Sequence, residues 1–598
     1  MLAALVAGCQ GDDKQATKTD ETPRGGTLRI GVVTDVPVST IDPAINFDPR
    51  VSELQRCCLL RTLVNYRGAT TEEGGSVLRP DLAAALPQLS EDGRSYTFRL
   101  RSGLRYARPY EDVTIKAQDI VRAIEYALRL ESANSNLILM IEGAREFQSG
   151  RADTVSGLET PDDRTLVVHL AELVGDLAER FSLPITAPVP PGTDVGDKEI
   201  GRVPVSSGPY MLAGSEGFDF SRPPTKERLP SGYVFNKRIT LVRNPAWRND
   251  PLRAAYVDRI VLTFEGLADE AAAKVDQGRL DFALGQFVPT AEQVERYSAD
   301  PALEKRLFVH VGNVVRYISL NLAVPPFDDV HVRKAVNLAI DKQALRRTAR
   351  DGRGGRVAGH IAPDALLNNL LLDYDPYETP GGRGDLEAAQ GEMAKSRYDR
   401  DRDGVCDAPA CSGLLAPVRN DDPAIPRLGE IVADNLRPIG IKLDIKAVGP
   451  DRYFEDVSLP QSRLPVIPAL GVAPDTLNGA GVFPFLFYGP LVGGSSGLTG
   501  SLVGASAQQL AKWKYTVTNV PNVDGKIEEC LRLTAGAQIQ CWAETDQLLM
   551  ETVVPWVPYL FEGQFQAVSN RVARFTFTQS GFFVLPAFDQ IALKPGSR

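Results

Sequence analysis

Histidine is scarce in this chain of 598 residues, which has only four of them. Long apolar runs are missing: no window offers the roughly 18 uninterrupted apolar residues that a membrane-spanning helix needs. Positive charge is in deficit, with 66 Lys and Arg against 76 Asp and Glu and a net charge of −10, which excludes the basic face of a nucleic-acid binder. Catalytic signatures are scarce too: no HExxH, P-loop or helix-opening GxGxxG occurs. His169 falls in the strand-like TLVVHL and His331 opens a helical stretch, where a structural role is the plainer reading. The Gly/Ser-rich stretch 495–506 reads as a loop, because no Lys-Ser/Thr pair follows its glycines. A glycosidase needs only two suitably spaced carboxylates, but nothing marks out such a pair. The chain is therefore expected not to be an enzyme.

What is present is a globular composition, 43% hydrophobic and 24% charged, in a length that suits two to four domains. No internal repeat stands out. The first residues, MLAALVAGCQGDDK, run from apolar through small residues to Cys9 and then turn polar. That order resembles the lipobox of bacterial lipoproteins, although no basic stretch precedes it. The resemblance implies lipidation at Cys9, with residues 10–24 as a polar tether and a lipid anchor as the only membrane contact. Six cysteines remain, an even number that suits disulfides in an exported protein. Cys406 with Cys411 and Cys530 with Cys541 are the close pairs. Adjacent Cys57 and Cys58 are expected to stay reduced and buried, since a vicinal bridge strains the peptide bond between them.

Periodicity alternates between strand and helix along the chain, as mixed α/β lobes require. Residues 25–34 read as a half-buried strand and 96–106 as a hairpin turning at Ser102-Gly103. Over 117–130 the spacing of Ile120, Val121, Ile124 and Leu128 predicts one apolar helix face, with Asp119 near its start. Two strands are expected within 239–264, a strand at 315–322, a helix at 330–345, and a helix followed by a strand over 428–448.

Several of these segments, in order, resemble the extracytoplasmic solute-binding proteins of ABC transporters, family 5, the peptide and nickel type. They are GGTLRIGVV with STIDPA (25–44), RTLVNY with LRPDLAAALPQLSEDGRSYTFRLRSGLRY (61–106), PVSSGPYML (204–212) and LVRNPAW (241–247). The most specific is YISLNLAVPPFDDVHVRKAVNLAIDKQAL (317–345). The resemblance implies a two-lobed α/β clamp of the large three-domain, type II form, with a hinge between the lobes. Residues 25–52, 200–312 and 562–598 would form lobe I, 53–199 an extra domain leaning on it, and 313–561 lobe II. A peptide or peptide-like solute would bind between the lobes of a monomer and pass to permease subunits. A signalling or partner-binding lipoprotein of the same fold is the alternative.

In peptide binders of the family, an aspartate of the second lobe pairs with the ligand's amino terminus. The corresponding stretch here is PALGVAPDTLNGAG (468–481), where Asp475 is the acid available, although the family's tryptophan and Asp-Pro are missing. Asp475 either makes that ion pair or caps a turn after Pro474. Tyr210, Phe485 and Tyr488 are the aromatic candidates for the cleft. In DRDRDGVCDAPAC (399–411), Asp399, Asp401, Asp403, the Val405 carbonyl and Asp407 occupy alternate positions like those of a calcium loop. That stretch reads either as a structural calcium site or as a solvated turn closed by Cys406–Cys411, on the outer side of lobe II. No other cofactor is expected.

Overall fold

The computed structural model describes residues 22–596 apart from 35–37, 39, 47, 194–195, 197–199, 249, 251, 286–287, 350–354, 495–499 and 580–583. Cys9 and the tether before Thr22 lie outside the described residues. The first lobe is built on a sheet in which Thr27–Val33 lies between Phe282–Leu284 and Arg259–Glu265, parallel to both. Arg238–Arg243 and then Tyr210–Leu212 extend it antiparallel. Leu28, Ile30 and Val32 alternate inward with no exposed surface, which is the period-two pattern of the sequence made solid.

Residues 53–199 carry their own sheet, ordered Gln88–Leu89, Ser95–Arg99, Thr165–His169 and Leu158–Asp162. The helix Ala117–Arg129 covers it and buries Ile120, Ile124 and Leu128. Asp119 fixes the start of that helix by accepting from the Lys116 amide (3.1 Å) and the Tyr106 hydroxyl (2.8 Å). The expected hairpin at 96–106 does not form. Ser95–Arg99 instead pairs along its whole length with Thr165–His169, and Arg105 bridges Thr114. The turn at 102–103 exists, but an equally alternating strand some 70 residues on wins the ladder.

The second lobe centres on a sheet ordered Gly355–Arg356, Trp556–Ala567, Leu307–Leu320 and Val466–Val472. A parallel pair, Leu414–Arg419 and Leu443–Val448, stands beside it with the helix Ala424–Leu436 between them in sequence. That helix stops at Gly440, whose φ of 81° is the left-handed turn that glycine adopts without strain. The expected helix over 330–345 is two helices, Val330–Ala339 and Lys342–Thr348, broken at Ile340-Asp341 because Asp341 caps the second by accepting from the Ala344 amide.

Leu307–Leu320 and Trp556–Ala567 are the two strands that pass from lobe to lobe. Phe308 packs against the first lobe's core, while Ile318 and Leu320 belong to a core of the second. The two strands pair antiparallel from Leu307↔Ala567 to Ser319↔Trp556, with register breaks between Val311 and Val315 and after Arg316. Asn313 fills the first break by donating its side-chain amide to the Gln579 carbonyl (3.0 Å), and Arg316 pairs with Glu562 beside the second.

Buried ions hold the 53–199 domain to the first lobe. Arg61 pairs with Asp81 and with Asp250 (2.9 Å), Arg253 reaches Asp81 (2.8 Å), and Trp247 covers the Arg61 guanidinium at 4.3 Å. Arg56 takes Glu53 in a two-pronged bond and also donates to Thr578, near the far end of the chain. Cys57 and Cys58, expected reduced, are joined in a vicinal disulfide within the π-helical turn Gln55–Leu59. Cys406–Cys411 and Cys530–Cys541 are bonded as well. No helix among the described residues is long and apolar enough to cross a membrane.

His360 has no exposed surface and sits between Asp546 (3.2 Å) and Asp364 (3.3 Å). Burial disfavours its charge, but the two carboxylates overcome that and push its pKa up to about 9. A raised folded-state pKa stabilises while the group is charged. The contribution is complete below the ordinary value of 6.5 and lost as pH climbs to about 9. The difference corresponds to about 3 kcal/mol. Thermal unfolding of the protein should therefore show a falling Tm between pH 6.5 and 9, and that slope should flatten in His360→Gln.

Candidate functional site

The loop that follows Val466–Val472 turns back over the 53–199 domain. Its residues Thr476 and Asn478 are buried, and both reach the short helix Leu177–Arg180 and its cap. The Thr476 hydroxyl donates to Asp176 (2.9 Å). The Asn478 amide donates to Glu179 (2.8 Å) and to the Gln538 carbonyl oxygen (2.8 Å). Gln538 in turn donates to the Gly175 carbonyl (3.0 Å), so three polar contacts join parts of the chain some 300 or more residues apart.

Local sequence places these groups. Gly175 has φ +67°, and a Cβ there would lie 2.8 Å from the Gln538 amide nitrogen. Only glycine lets the carbonyl present itself so closely. Gln538 lies in the first turns of the helix Ala535–Leu548, which Cys530–Cys541 clips to the helix Asp524–Leu531. One turn on, Trp542 donates its indole N–H to Asn478 (3.1 Å) and stacks on Phe483 with ring centroids 5.4 Å apart. Gly479 lies against that indole so tightly that a Cβ would approach Trp542 Cγ to 2.4 Å. Asn478 thus has both its donors and its acceptor engaged, as a buried amide requires.

Charge at this junction is unbalanced. Asp176, Glu179 and Asp475 supply three carboxylates, and Arg180 is bonded to Asp176 (2.8 Å). Asp475 is exposed, and its carboxylate has no hydrogen bond or ion pair among the described residues. Even so, the surrounding protein raises its pKa, with Arg180 lowering it and Asp176 raising it further. Glu179 also keeps some exposed surface, yet burial pushes its pKa up to about 7, against the bond from Asn478 and with the charge of Asp176. A carboxylate that is open to solvent and at the same time crowded by protein is what the wall of a cleft produces. Tyr66 stands beside them. It is 4% exposed, packs with the second lobe's core, and its hydroxyl has no hydrogen-bond partner. Burial, then Glu179 and Asp176, hold its pKa well above the ordinary phenol value.

Of the residues singled out from sequence, Asp475 is the one found at this junction. Tyr210 is not a cleft residue: it has no exposed surface, and its hydroxyl donates to the Val257 carbonyl (2.9 Å) inside the first lobe. Phe485 lies on the short helix Phe483–Phe487 and is 37% exposed. Tyr488 is half-buried and bonded to Glu528 (3.0 Å). Sequence reasoning missed Glu179, Tyr66, Asn478 and Gln538. The available signal was the loop 473–481 itself, whose polar residues next to a strand had to find partners.

The acidic loop stands apart, in the second lobe. Carboxylate oxygens of Asp399, Asp401 and Asp403 lie within 4.8 Å of one another. Asp399 is buried and accepts from the amides of Arg402 (2.7 Å) and Gly404 (2.8 Å), while Asp403 accepts from Val405 (2.9 Å). Asp407 does not join the group. It is exposed, and its amide is tied back to the Tyr398 carbonyl (3.2 Å). Cys406 and Cys411 anchor the loop in the second lobe's core.

Comparison with known proteins accords with the architecture. Heme-binding protein A of Haemophilus influenzae is 23% identical over 524 residues, covering 86% of this chain and 84% of its own. Di/tripeptide-binding protein 1 of Pseudomonas aeruginosa is 22% identical over 62% of this chain and 64% of its own. Among solved structures, clavulanic acid biosynthesis oligopeptide binding protein 2 superposes with a TM-score of 0.74 at 25% identity, over 96% of both chains. The unliganded open form of the periplasmic murein tripeptide binding protein MppA gives 0.69 at 15% identity, over 95% of this chain and 99% of its own. Residues 77–467 match the family described as bacterial extracellular solute-binding proteins, family 5, middle region. A two-lobed α/β clamp with this match over well more than half its length belongs to the family 5 extracellular solute-binding proteins.

Proposed function

We propose that this protein is the lipid-anchored receptor of an ABC importer, and that it takes a peptide or peptide-like solute between its lobes for delivery to the permease. Asp475 is the observation that carries the reading. An unpaired carboxylate at the junction of the 53–199 domain and the second lobe is the group a free ammonium would seek. The di/tripeptide-binding relative supports a peptide solute. The lipobox-like Cys9 supports the anchor, and the anchor would keep the receptor beside its permease as a monomer. A histidine clamp for a metal chelate finds less support. His169, His310, His331 and His360 are bonded to Ser95, Gln579, Glu392 and the Asp364/Asp546 pair, away from Asp475.

Native mass spectrometry of the purified protein should reveal a co-purified small solute, and pools of short peptides should raise its Tm. Asp475→Asn should weaken free-amine peptides by about ten- to a hundredfold, the loss of roughly 1.5–3 kcal/mol expected of one charge-assisted bond. If no solute is carried and no pool shifts the melting curve, the transport reading fails.

The loop at 399–411 is proposed as a structural calcium site in which Asp399, Asp401 and Asp403 supply the carboxylates, with Val405 next in the same alternating register. Calorimetric titration should show calcium bound at one site per chain, and Asp401→Asn with Asp403→Asn should abolish the heat. A flat titration of the unaltered protein would leave only the disulfide-closed turn.

A further inference from the structure

The seams on the two sides of the 53–199 domain differ in chemistry. Toward the first lobe the domain is held by buried ions, Arg61 with Asp250 (2.9 Å) and Asp81 with Arg253 (2.8 Å). Parting that seam would strand charges in the interior, which is strongly unfavourable. Toward the second lobe the partners are neutral donors. Thr476 reaches Asp176 (2.9 Å), Asn478 reaches Glu179 (2.8 Å) and Gln538 reaches the Gly175 carbonyl (3.0 Å). Farther along the same seam, Ser76 donates to Asn368 (3.2 Å) and Asn369 to Glu72 (3.5 Å). Groups of this kind exchange protein partners for water at modest net cost, so this seam can part and re-form.

The covalent connections point the same way. Leu307–Leu320 and Trp556–Ala567 join the lobes, and their ladder is interrupted between Val311 and Val315. Bending there swings the second lobe against the first, and the 53–199 domain, fixed by its ions, travels with the first. The surface that opens is then the one that Thr476, Asn478 and Gln538 cross. Gln538 is held ready for it. Its side-chain amide also donates to the Cys530 carbonyl (3.2 Å) and accepts from Asn478 (2.8 Å), beside the Cys530–Cys541 bridge. At Gly175 a Cβ would stand 2.8 Å from that amide nitrogen and 3.0 Å from Leu531, so a side chain there would hold the two surfaces apart.

Resting on the solute-receptor reading above, we propose that the 53–199 domain is the closing jaw of the clamp, and that Thr476, Asn478 and Gln538 latch it to the second lobe. Both sides of the latch are protein, so it favours the closed form by the same amount whatever solute is enclosed. Gln538 and Thr476 are positioning residues that act on the solute through the jaw. Solute enters the open form, where the latch is parted, so association does not depend on it. Release requires the latch to break. Such a latch adds affinity without adding selectivity, which suits a receptor for solutes of varied side chains.

The test uses the full chain and two mixed tripeptide pools, one with free amino termini and one N-acetylated. Gln538→Ala should speed dissociation of every pool that binds by about tenfold and Thr476→Val by about threefold, with association rates unchanged in stopped-flow. Without peptide, small-angle scattering should give Gln538→Ala a larger radius of gyration than the unaltered protein. A loss confined to one of two binding pools makes these residues solute contacts and overturns the latch, as does a loss carried by slower association. Unchanged dissociation and an unchanged radius, whatever the Tm, mark contacts that only build the fold and overturn it too. The receptor reading survives all of these results. If no pool binds the unaltered protein, the receptor reading falls, and equal radii of gyration then dismiss the latch as well. Should Gln538→Ala not fold, Thr476→Val, which keeps the side-chain shape, decides by the same measurements.

Discussion

The two lobes depend on one antiparallel pair of strands. Leu307–Leu320 and Trp556–Ala567 carry the chain between them, and backbone hydrogen bonds along that pair are what keep the lobes in register. A continuous ladder would resist bending, because each bond fixes the next. Here it is broken between Val311 and Val315, where Gly312 lies and Asn313 leaves the ladder to bond Gln579 instead. Arg316, paired with Glu562, packs over Gly471, where any side chain would collide with the guanidinium at 2.6 Å. The crossing is therefore firm at its ends and interrupted in the middle, which suits a clamp whose lobes move as bodies about a few residues.

The junction at Asp475 shows how a buried polar loop is held. Asn478 is the fully satisfied member: its bonds to Glu179, Gln538 and Trp542 fix the loop, and the Cys530–Cys541 clip fixes the helices behind it. Glu179 accepts one of those bonds, whereas the Asp475 carboxylate has none among the described residues. Their raised pKa values have the same physical origin, burial and the nearby charge of Asp176, which together outweigh the opposing charge of Arg180. Burial raises other carboxylates as well, Glu53 to about 7 and Asp589 to about 6. Arg61, Asp81, Asp250 and Arg253 close on themselves, and so do Arg56 and Glu53. Asp475 differs from these in having no ion pair or hydrogen bond among the described residues.

Local pattern made much of the fold legible. The alternation in Thr27–Val33, the apolar face of Ala117–Arg129 and the strands at 238–243 and 259–265 follow from side-chain periodicity alone. Pairing was less legible, as Ser95–Arg99 shows: the chain contained a turn and a second alternating strand farther away, and only packing decides between them. Of the candidate site, one residue was legible. Asp475 could be reached through the resemblance of its loop, whereas Tyr66, at the end of the matching RTLVNY, and Glu179 carried no signal of a role. Their significance arises from contacts across some 300 or more residues of sequence, which no local signal encodes. Tyr210 misled for the converse reason: a motif near a cleft in sequence terms can still turn its ring into a core.

The first lobe is assembled from segments at opposite ends of the chain. Val568, Phe588, Ile591 and Leu593 fill the same core as Leu28, Ile30 and Val32, whereas the second lobe's sheet comes from one continuous stretch beginning near 307. A ribosome delivers these pieces in order, so the second lobe has all its strands while the first still lacks part of its interior. The lobe that starts first is finished last. Until residues 568–593 emerge, the strand Thr27–Val33 and its neighbours keep apolar surface uncovered, and nascent chains in that condition are the ones that holding factors recognise.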